Sequence, residues 1–199
     1  MMMLLRLVVL LLAAVGLTAI IMGSKYYDQY QEITQLRASL DPQAEELYLE
    51  AYKAFRESRD LADVMMWSFK VVDGVTPDDV VESLKSLATA RNFFFVGESP
   101  FYRQAEAVTG EPYRYTNFLS FCDVRVGMQM ADYNHKYTAF MPCRIAVVED
   151  QQGDIWLHSM NLDFMIYGGK PLPPELREGA IYVRNTIYEL MEAAAAGEF

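Results

Sequence analysis

The residues of this chain with the greatest capacity for chemistry are two cysteines, two histidines and some of the 12 methionines. Cys122 ends an apolar run and is followed by Asp123, a residue type suited to begin a helix. A thiol beside the positive end of a helix loses its proton more readily, although the neighbouring Asp123 carboxylate opposes this effect. Cys122 therefore has three interpretations: a small buried apolar side chain, half of a disulfide with Cys143, or a working thiol or metal ligand.

A second group of candidate ligands combines thioether, thiolate and imidazole donors, which together suit copper(I). His158 and Met160 are two residues apart in a predicted strand, so their side chains lie on one side and are able to reach one ion. The candidate metal ligands are Cys122, Cys143, His158 and Met160, with further soft donors at Met128, Met130, His135 and Met141. Because methionines in an apolar chain mostly fill gaps in the core, copper is only an alternative and no cofactor is predicted.

No catalytic motif accompanies these residues. The sequence contains no G-x-G-x-x-G, P-loop, G-x-S-x-G or H-E-x-x-H pattern. The Gly168-Gly169-Lys170 segment lacks the spacing of a phosphate-binding loop, and Pro171 removes a backbone donor where one is needed. Without a paired nucleophile and base, the sequence favours a non-enzymatic role. A thiol enzyme with Cys122 as its nucleophile is the remaining enzymatic reading.

Composition indicates a packed domain and argues against nucleic acid as a partner. Of the 199 residues, 52% are hydrophobic and 22% are charged, which is typical of a chain with a core. The formal charge is −10, from 17 Lys+Arg against 27 Asp+Glu. A nucleic-acid-binding protein needs a basic face to neutralise phosphates, and no basic cluster is visible in the sequence.

Residues 7–22 form an uncharged apolar run, with Arg6 before it and Lys25 after it. As a helix this run spans ~24 Å, and a few flanking residues extend it to bilayer thickness. We predict a transmembrane anchor over residues 1–25; a cleaved signal peptide and a buried helix are the alternatives. The short side that carries Arg6 is predicted to stay cytoplasmic, which places the rest of the chain on the extracytoplasmic, periplasmic side of a bacterial membrane.

Residues 26–61 are predicted to be a helical juxtamembrane segment. Apolar residues recur there at steps of three and four, and Asp41-Pro42 interrupts them with the residue types that cap and open a helix. We therefore expect two helices. Their apolar stripe either packs on the domain or pairs with a second copy; it consists of Ile33, Leu36, Leu40, Ala44, Leu47, Ala51 and Ala54.

Residues 62–199 are predicted to form an α+β domain with a mostly antiparallel sheet and helices on one face, in the order β-α-β…β-α-β-β-α. Trp67, Phe69 and Val71 alternate with polar residues, as in a half-buried strand. Thr76-Pro77-Asp78-Asp79 opens a helix. Further predicted elements are strands at 93–96 and 118–122, a helix at 124–134, a hairpin of 145–149 with 155–159, and a closing helix that begins near Leu176.

From residue 64 onward the chain resembles the family known as domain of unknown function 302. The resemblance rests on residues 118–123 (FLSFCD), 140–149 (FMPCRIAVVE) and 160–170 (MNLDFMIYGGK). Cys122, Pro142 and Cys143 match the cysteines and the proline of the family pattern, whereas Asp123-Val124 stands where the family usually has Asn-Pro. The resemblance implies a small α+β fold and a homodimer, with no established reaction.

These observations predict a membrane-anchored extracytoplasmic accessory or binding module that associates with itself or with a membrane complex. Trp67, Trp156 and the many tyrosines are candidate anchors of its interaction surface. The alternative is a soft-metal or sulfur carrier that uses Cys122, Cys143, His158 and nearby methionines. The sequence leaves open the ligand, the oligomer size, and whether the cysteines are bridged.

Overall fold

A computed structural model of the chain describes residues 2–198. Its residue contacts divide the chain into two units, Met1–Asp41 and Pro42–Phe199. The first unit is a single helix, α1 (Met2–Ser39), of 38 residues. Its segment Arg6–Ser39 is long and apolar enough to cross a membrane, with a hydropathy of 2.5 and none of the apolar window buried inside the protein. Length and composition of this kind are shared by membrane anchors and signal sequences.

The second unit contains a five-stranded antiparallel sheet in the order β1-β5-β4-β3-β2. The strands are β1 (Met66–Lys70), β2 (Phe94–Ser99), β3 (Thr116–Cys122), β4 (Cys143–Glu149) and β5 (Ile155–Met160). The helices are α2 (Ala44–Ser58), α3 (Leu61–Met65), α4 (Pro77–Ala90), α5 (Phe101–Thr109), α6 (Val124–Tyr133), α7 (Asp163–Tyr167) and α8 (Pro174–Ala195), with a 3₁₀ segment at His135–Phe140. The predicted α+β class and antiparallel sheet are confirmed.

One face of the sheet builds the core. Alternate residues of the three central strands are fully buried, because successive side chains of a strand point to opposite faces. They pack with the apolar stripes of α4 and α8. The sheet contributes Leu119, Phe121, Ile145, Val147 and Leu157, and the two helices contribute Val80, Leu84, Ala88, Ile187, Leu190 and Met191.

Local signals set the ends of these elements. Thr76 caps α4 by accepting a hydrogen bond from the Asp79 amide, and the Asp79 carboxylate accepts one from the Thr76 amide. Asp123 caps α6 by accepting from the Arg125 and Val126 amides, as the sequence suggested. The expected cap at Asp41-Pro42 is displaced, since α2 begins at Ala44 with Gln43 in the capping position.

Helix α2 packs on the domain. Ala44 is buried, and the Tyr48 hydroxyl donates a hydrogen bond to the Gly168 carbonyl just after α7. The rings of Tyr48 and Phe164 lie 6.4 Å apart between their centroids. The apolar stripe of the second predicted helix is therefore used, at least in part, within one chain.

Candidate functional site

The face of the sheet opposite the core carries half-exposed and exposed side chains in two rows across the strands. In one row, Ser68 of β1, His158 of β5, Ala146 of β4 and Phe118 of β3 are successive cross-strand partners. The next row places Arg144 of β4 opposite Ser120 of β3. We call these six residues the groove face. Since Ala146 is the smallest side chain of its row, the face is recessed there.

A cavity of about 410 Å³ lies over the groove face. Its floor includes Phe118, Ser120, Arg144, Ala146 and His158, and the 3₁₀ segment with the residues just after it supplies Ala139 to Pro142. Met66, Met160 and Leu162 also line it. The volume lies within the range of small-molecule sites, which are mostly apolar with a few convergent polar groups.

The cavity has an unusual charge for this chain. Of the described residues that line it, none is an Asp or a Glu, although the chain carries a net −10. The Arg144 guanidinium lies 5.3 Å from the centroid of the Phe118 ring, a cation–π geometry. Arg144 is exposed, and no carboxylate pairs with it among residues 2–198. An uncompensated positive charge therefore lies on the wall of the cavity.

His158 is held in place from two sides. Its Nδ1 lies 2.9 Å from the Ser68 Oγ, and its ring is parallel to that of Trp156 at a centroid distance of 6.1 Å. The Trp156 Nε1–H donates to Asp150, which fixes the indole against the β4–β5 turn. Burial lowers the pKa of His158 below its ordinary value of 6.5, so the imidazole is neutral at pH 7. It offers the cavity a hydrogen-bonding group without a charge.

A second cavity of about 330 Å³ adjoins the first, since Phe140 and Met160 line both. It lies among the 3₁₀ segment, α7 and the Gly168–Gly169 turn, and its described lining includes the charged Lys136. Arg184 of α8 ties α7 down through two hydrogen bonds to Asp163, at 2.9 and 3.1 Å. The wall of the second cavity is thus fixed to the core by an ion pair.

The two cysteines lie at the end of the sheet near α6, and both are free thiols. They line a third, small cavity of about 30 Å³ together with Met130 and Met141. Both sulfurs pack against α6 at Gly127, where a Cβ would lie at ordinary contact distances of 3.6 Å from the Cys122 sulfur and 3.4 Å from the Met141 sulfur.

Both thiols are held in the protonated form. Burial raises the pKa of Cys122, and the adjacent Asp123 carboxylate adds to the rise. Burial, with the nearby Cys122 thiol, raises the pKa of Cys143 to about 12. Since the thiolate is the nucleophile and the metal ligand, both environments oppose that chemistry. The desolvation of Cys122 and the charge of Asp123 act in the opposite direction to the helix terminus that its position suggested.

The candidate metal ligands are divided between cavities. His158 and Met160 line the 410 Å³ cavity, Cys122 lines the small one, and Cys143 lines both. Met130 is buried, and Met128 and His135 are exposed. Within the described residues no three His, Cys, Asp or Glu side chains lie close enough to hold a metal ion. The geometry therefore does not favour the copper alternative, and the metal role stays a prediction.

Sequence reasoning missed Arg144, Ser120, Ala146 and Ser68. A signal for Arg144 was present, because it directly precedes the buried Ile145 in an otherwise apolar strand and must therefore face away from the core. The other three are small or neutral side chains, and only the strand register brings them together on the groove face. Register is a tertiary property that a single strand does not reveal.

Fold and site together define a small α+β domain: one antiparallel sheet, with a helix-covered face that forms the core and a second face that carries a groove. The family model described as "Domain of unknown function DUF302" matches residues 69–194 of the chain. The match spans more than half of the chain, and this protein belongs to that family.

A solved structure shares the fold. It is the crystal structure of an uncharacterized conserved protein of the same family from Bacillus stearothermophilus, with a TM-score of 0.53 and 14% sequence identity. The alignment covers 65% of this chain and 98% of the other. No curated protein matches the chain. The predicted family resemblance is confirmed.

Proposed function

We propose that this protein is a membrane-anchored, extracytoplasmic binding module that takes a small ligand in the groove of its sheet. The observation that carries the proposal is the 410 Å³ cavity over a face of the sheet that is not needed for the core. Its lining combines thioether, aromatic and aliphatic walls with the polar side chains of Ser120, Arg144, His158 and Ser159, the composition expected of a ligand site. No nucleophile activated by a base is part of this lining, which supports binding rather than catalysis.

Helix α1 supports the membrane part of the proposal. Its apolar window is free of burial within the protein, and Tyr26, Tyr27 and Tyr30 follow the apolar run at the level where aromatic residues anchor a span. Arg6 precedes the run, and positive residues favour the cytoplasmic side. This orientation places the binding domain outside the cytoplasm.

Self-association or docking in a membrane complex completes the proposal. Helix α2 exposes a set of apolar side chains at helical spacing while its other side packs on α7. The exposed set is Leu49, Tyr52 and Phe55, with exposed fractions of 51%, 62% and 43%. Aromatic residues of this kind are enriched at the centres of protein interfaces.

The test is a fractionation of the full-length chain produced in a bacterial host. We expect it to sediment with membranes after alkaline carbonate washing, and to be cleaved when protease is added to intact spheroplasts. Leu12→Arg places a charge in the middle of the span and should release the protein, whereas the control Leu12→Ala should not. Native mass spectrometry after gentle extraction would then report the copy number and any retained small molecule. A soluble species that lacks residues 1–23 would contradict the anchor, and a monomer with an empty groove would contradict the rest.

A further inference from the structure

The groove combines one fixed positive charge with neutral polar groups and apolar walls. Arg144 is the charged residue of its lining, and its contact with the Phe118 ring holds the guanidinium along the face. Because acidic side chains are absent from the described lining, a bound cation would meet repulsion with no compensating carboxylate. The charge of the site therefore selects for an anionic group.

Register brings the polar groups within reach of one ligand. Arg144 lies directly opposite Ser120, and His158 is opposite Ala146, which stands two residues further along β4. Diagonal neighbours of this kind are about 7–8 Å apart. A group between Arg144 and His158 is thus able to contact both side chains. Since the His158 Nδ1 is engaged by Ser68, the Nε2 is the ring nitrogen without a partner in the described structure.

The rest of the lining is suited to an apolar body. Met66, Met160, Phe140 and Leu162 extend from the polar groups toward the second cavity, which shares Phe140 and Met160. Thioether and aromatic side chains adapt to flat or branched apolar groups. A volume of about 410 Å³ is near the lower end for drug-sized ligands, which indicates a small molecule.

We propose that the groove binds a small organic carboxylate, whose carboxylate group pairs with Arg144 and whose apolar or aromatic body lies along Phe118, Phe140 and Met160. This inference rests on the binding function proposed above and names the chemical class of the ligand. A carboxylate presents two oxygens in one plane, which the fork of a single guanidinium satisfies. A phosphate group has a third oxygen and a larger charge, and among the described lining residues Arg144 alone carries a positive charge to balance it.

The test uses four probes with closely similar bodies: 3-phenylpropanoate, 3-phenylpropanamide, 3-phenylpropylamine and 2-phenylethyl phosphate. Each is titrated by isothermal calorimetry into the full-length chain in lipid nanodiscs at pH 7.5, with empty nanodiscs as the blank. We expect the carboxylate to bind about tenfold more tightly than the amide, the ratio that 1.4 kcal/mol of charge-assisted hydrogen bonding produces. The amine and the phosphate should bind more weakly than the carboxylate.

Two variants and two controls assign the binding to the groove. Arg144→Gln should remove the advantage of the carboxylate over the amide, and Ala146→Leu should abolish binding of all probes by filling the recess. Val148→Leu enlarges a side chain on the same face of β4 outside the cavity lining, and Arg125→Gln removes an exposed charge on α6. Both controls should bind as the parent does.

The outcomes separate the two proposals. The carboxylate class would be overturned if the acid and the amide bound equally, or if the amine or the phosphate bound more tightly than the acid. If that binding were lost in Ala146→Leu, the groove would still be the binding site. Affinity for the carboxylate that survives both Arg144→Gln and Ala146→Leu would place the ligand elsewhere and overturn the inference. Failure of all four probes would also overturn it, while small molecules retained in native mass spectra test the binding function independently.

Discussion

Two ion pairs of similar length should differ in what they contribute to stability, because they differ in exposure. Lys70 and Asp154 lie 2.6 Å apart with side chains 47% and 38% exposed. Arg184 and Asp163 lie 2.9 Å apart with side chains 28% and 19% exposed. Exposed pairs contribute little because water screens them, so distance alone is a poor guide.

The contacts of Arg184 indicate how much stability Asp163→Ala should lose. The substitution removes two charge-assisted hydrogen bonds from Arg184, whose guanidinium also lies 5.1 Å from the Trp67 ring centroid and 5.2 Å from that of Tyr188. The guanidinium is unable to move into water without leaving these rings. Two such bonds, with a partly buried charge left unpaired, correspond to a loss of about 1–3 kcal/mol. The same pairing is the main cause of the raised pKa of Arg184.

The assay is urea denaturation of the full chain in mild detergent, followed by far-ultraviolet circular dichroism and by tryptophan fluorescence. We expect Asp163→Ala to lower the urea concentration at the midpoint of unfolding without changing the m value, the slope of the free energy of unfolding against urea concentration. The midpoint of Asp154→Ala should stay near the parent value. A loss in Asp154→Ala as large as that in Asp163→Ala would refute the argument that exposure decides.

Two further predictions concern titratable groups near the groove. Burial lowers the pKa of His158 in the folded chain, so this residue takes up a proton more readily in the unfolded chain. The contribution of His158 to the free energy of unfolding should therefore be fully present above pH 6.5 and be lost as the pH falls below that value. Thermal melts between pH 7.5 and 5 should show this loss of stability in the parent and in His135→Gln but not in His158→Gln. A loss of equal size in His158→Gln would contradict its assignment to His158. Because burial raises the pKa of both thiols, Cys143 to about 12, iodoacetamide at pH 8 should modify them far more slowly in the native chain than in guanidinium, as measured by peptide mapping. Rapid native labelling of Cys143 would contradict its raised pKa.

Segments with a strong local signal were predictable from the sequence. The capping residues Thr76 and Asp79, the apolar stripe of α8 and the turn between β4 and β5 each carry their structure in a few neighbouring residues. Short elements were missed. Helix α5, which lies between Pro100 and Gly110, was not among the predicted elements, and the 3₁₀ segment has too few residues for a period to appear.

The candidate site was harder to predict, because it joins residues that are far apart along the chain. Soft donors at Cys122, Cys143, His158 and Met160 suggested one site, but strand register and the position of α6 leave Cys122 in a separate cavity from His158 and Met160, with Cys143 lining both. The residue that dominates the charge of the larger cavity, Arg144, gave no motif. Its role follows from Phe118 on the neighbouring strand and from the lack of nearby acids in the described lining, which are both tertiary properties.

The alternation of a strand also explains why membership of this family defines the fold more firmly than the ligand. In β4, Ile145 and Val147 are fully buried against the helices, while Arg144 and Ala146, which alternate with them along the strand, face the groove. A substitution at Arg144 or Ala146 is therefore able to change what the groove admits with little effect on the core, and the reverse holds for Ile145 and Val147. The solved relative at 14% identity therefore shares the fold without defining the ligand. The groove face of each relative must consequently be analysed on its own residues, and in this chain those residues favour a carboxylate.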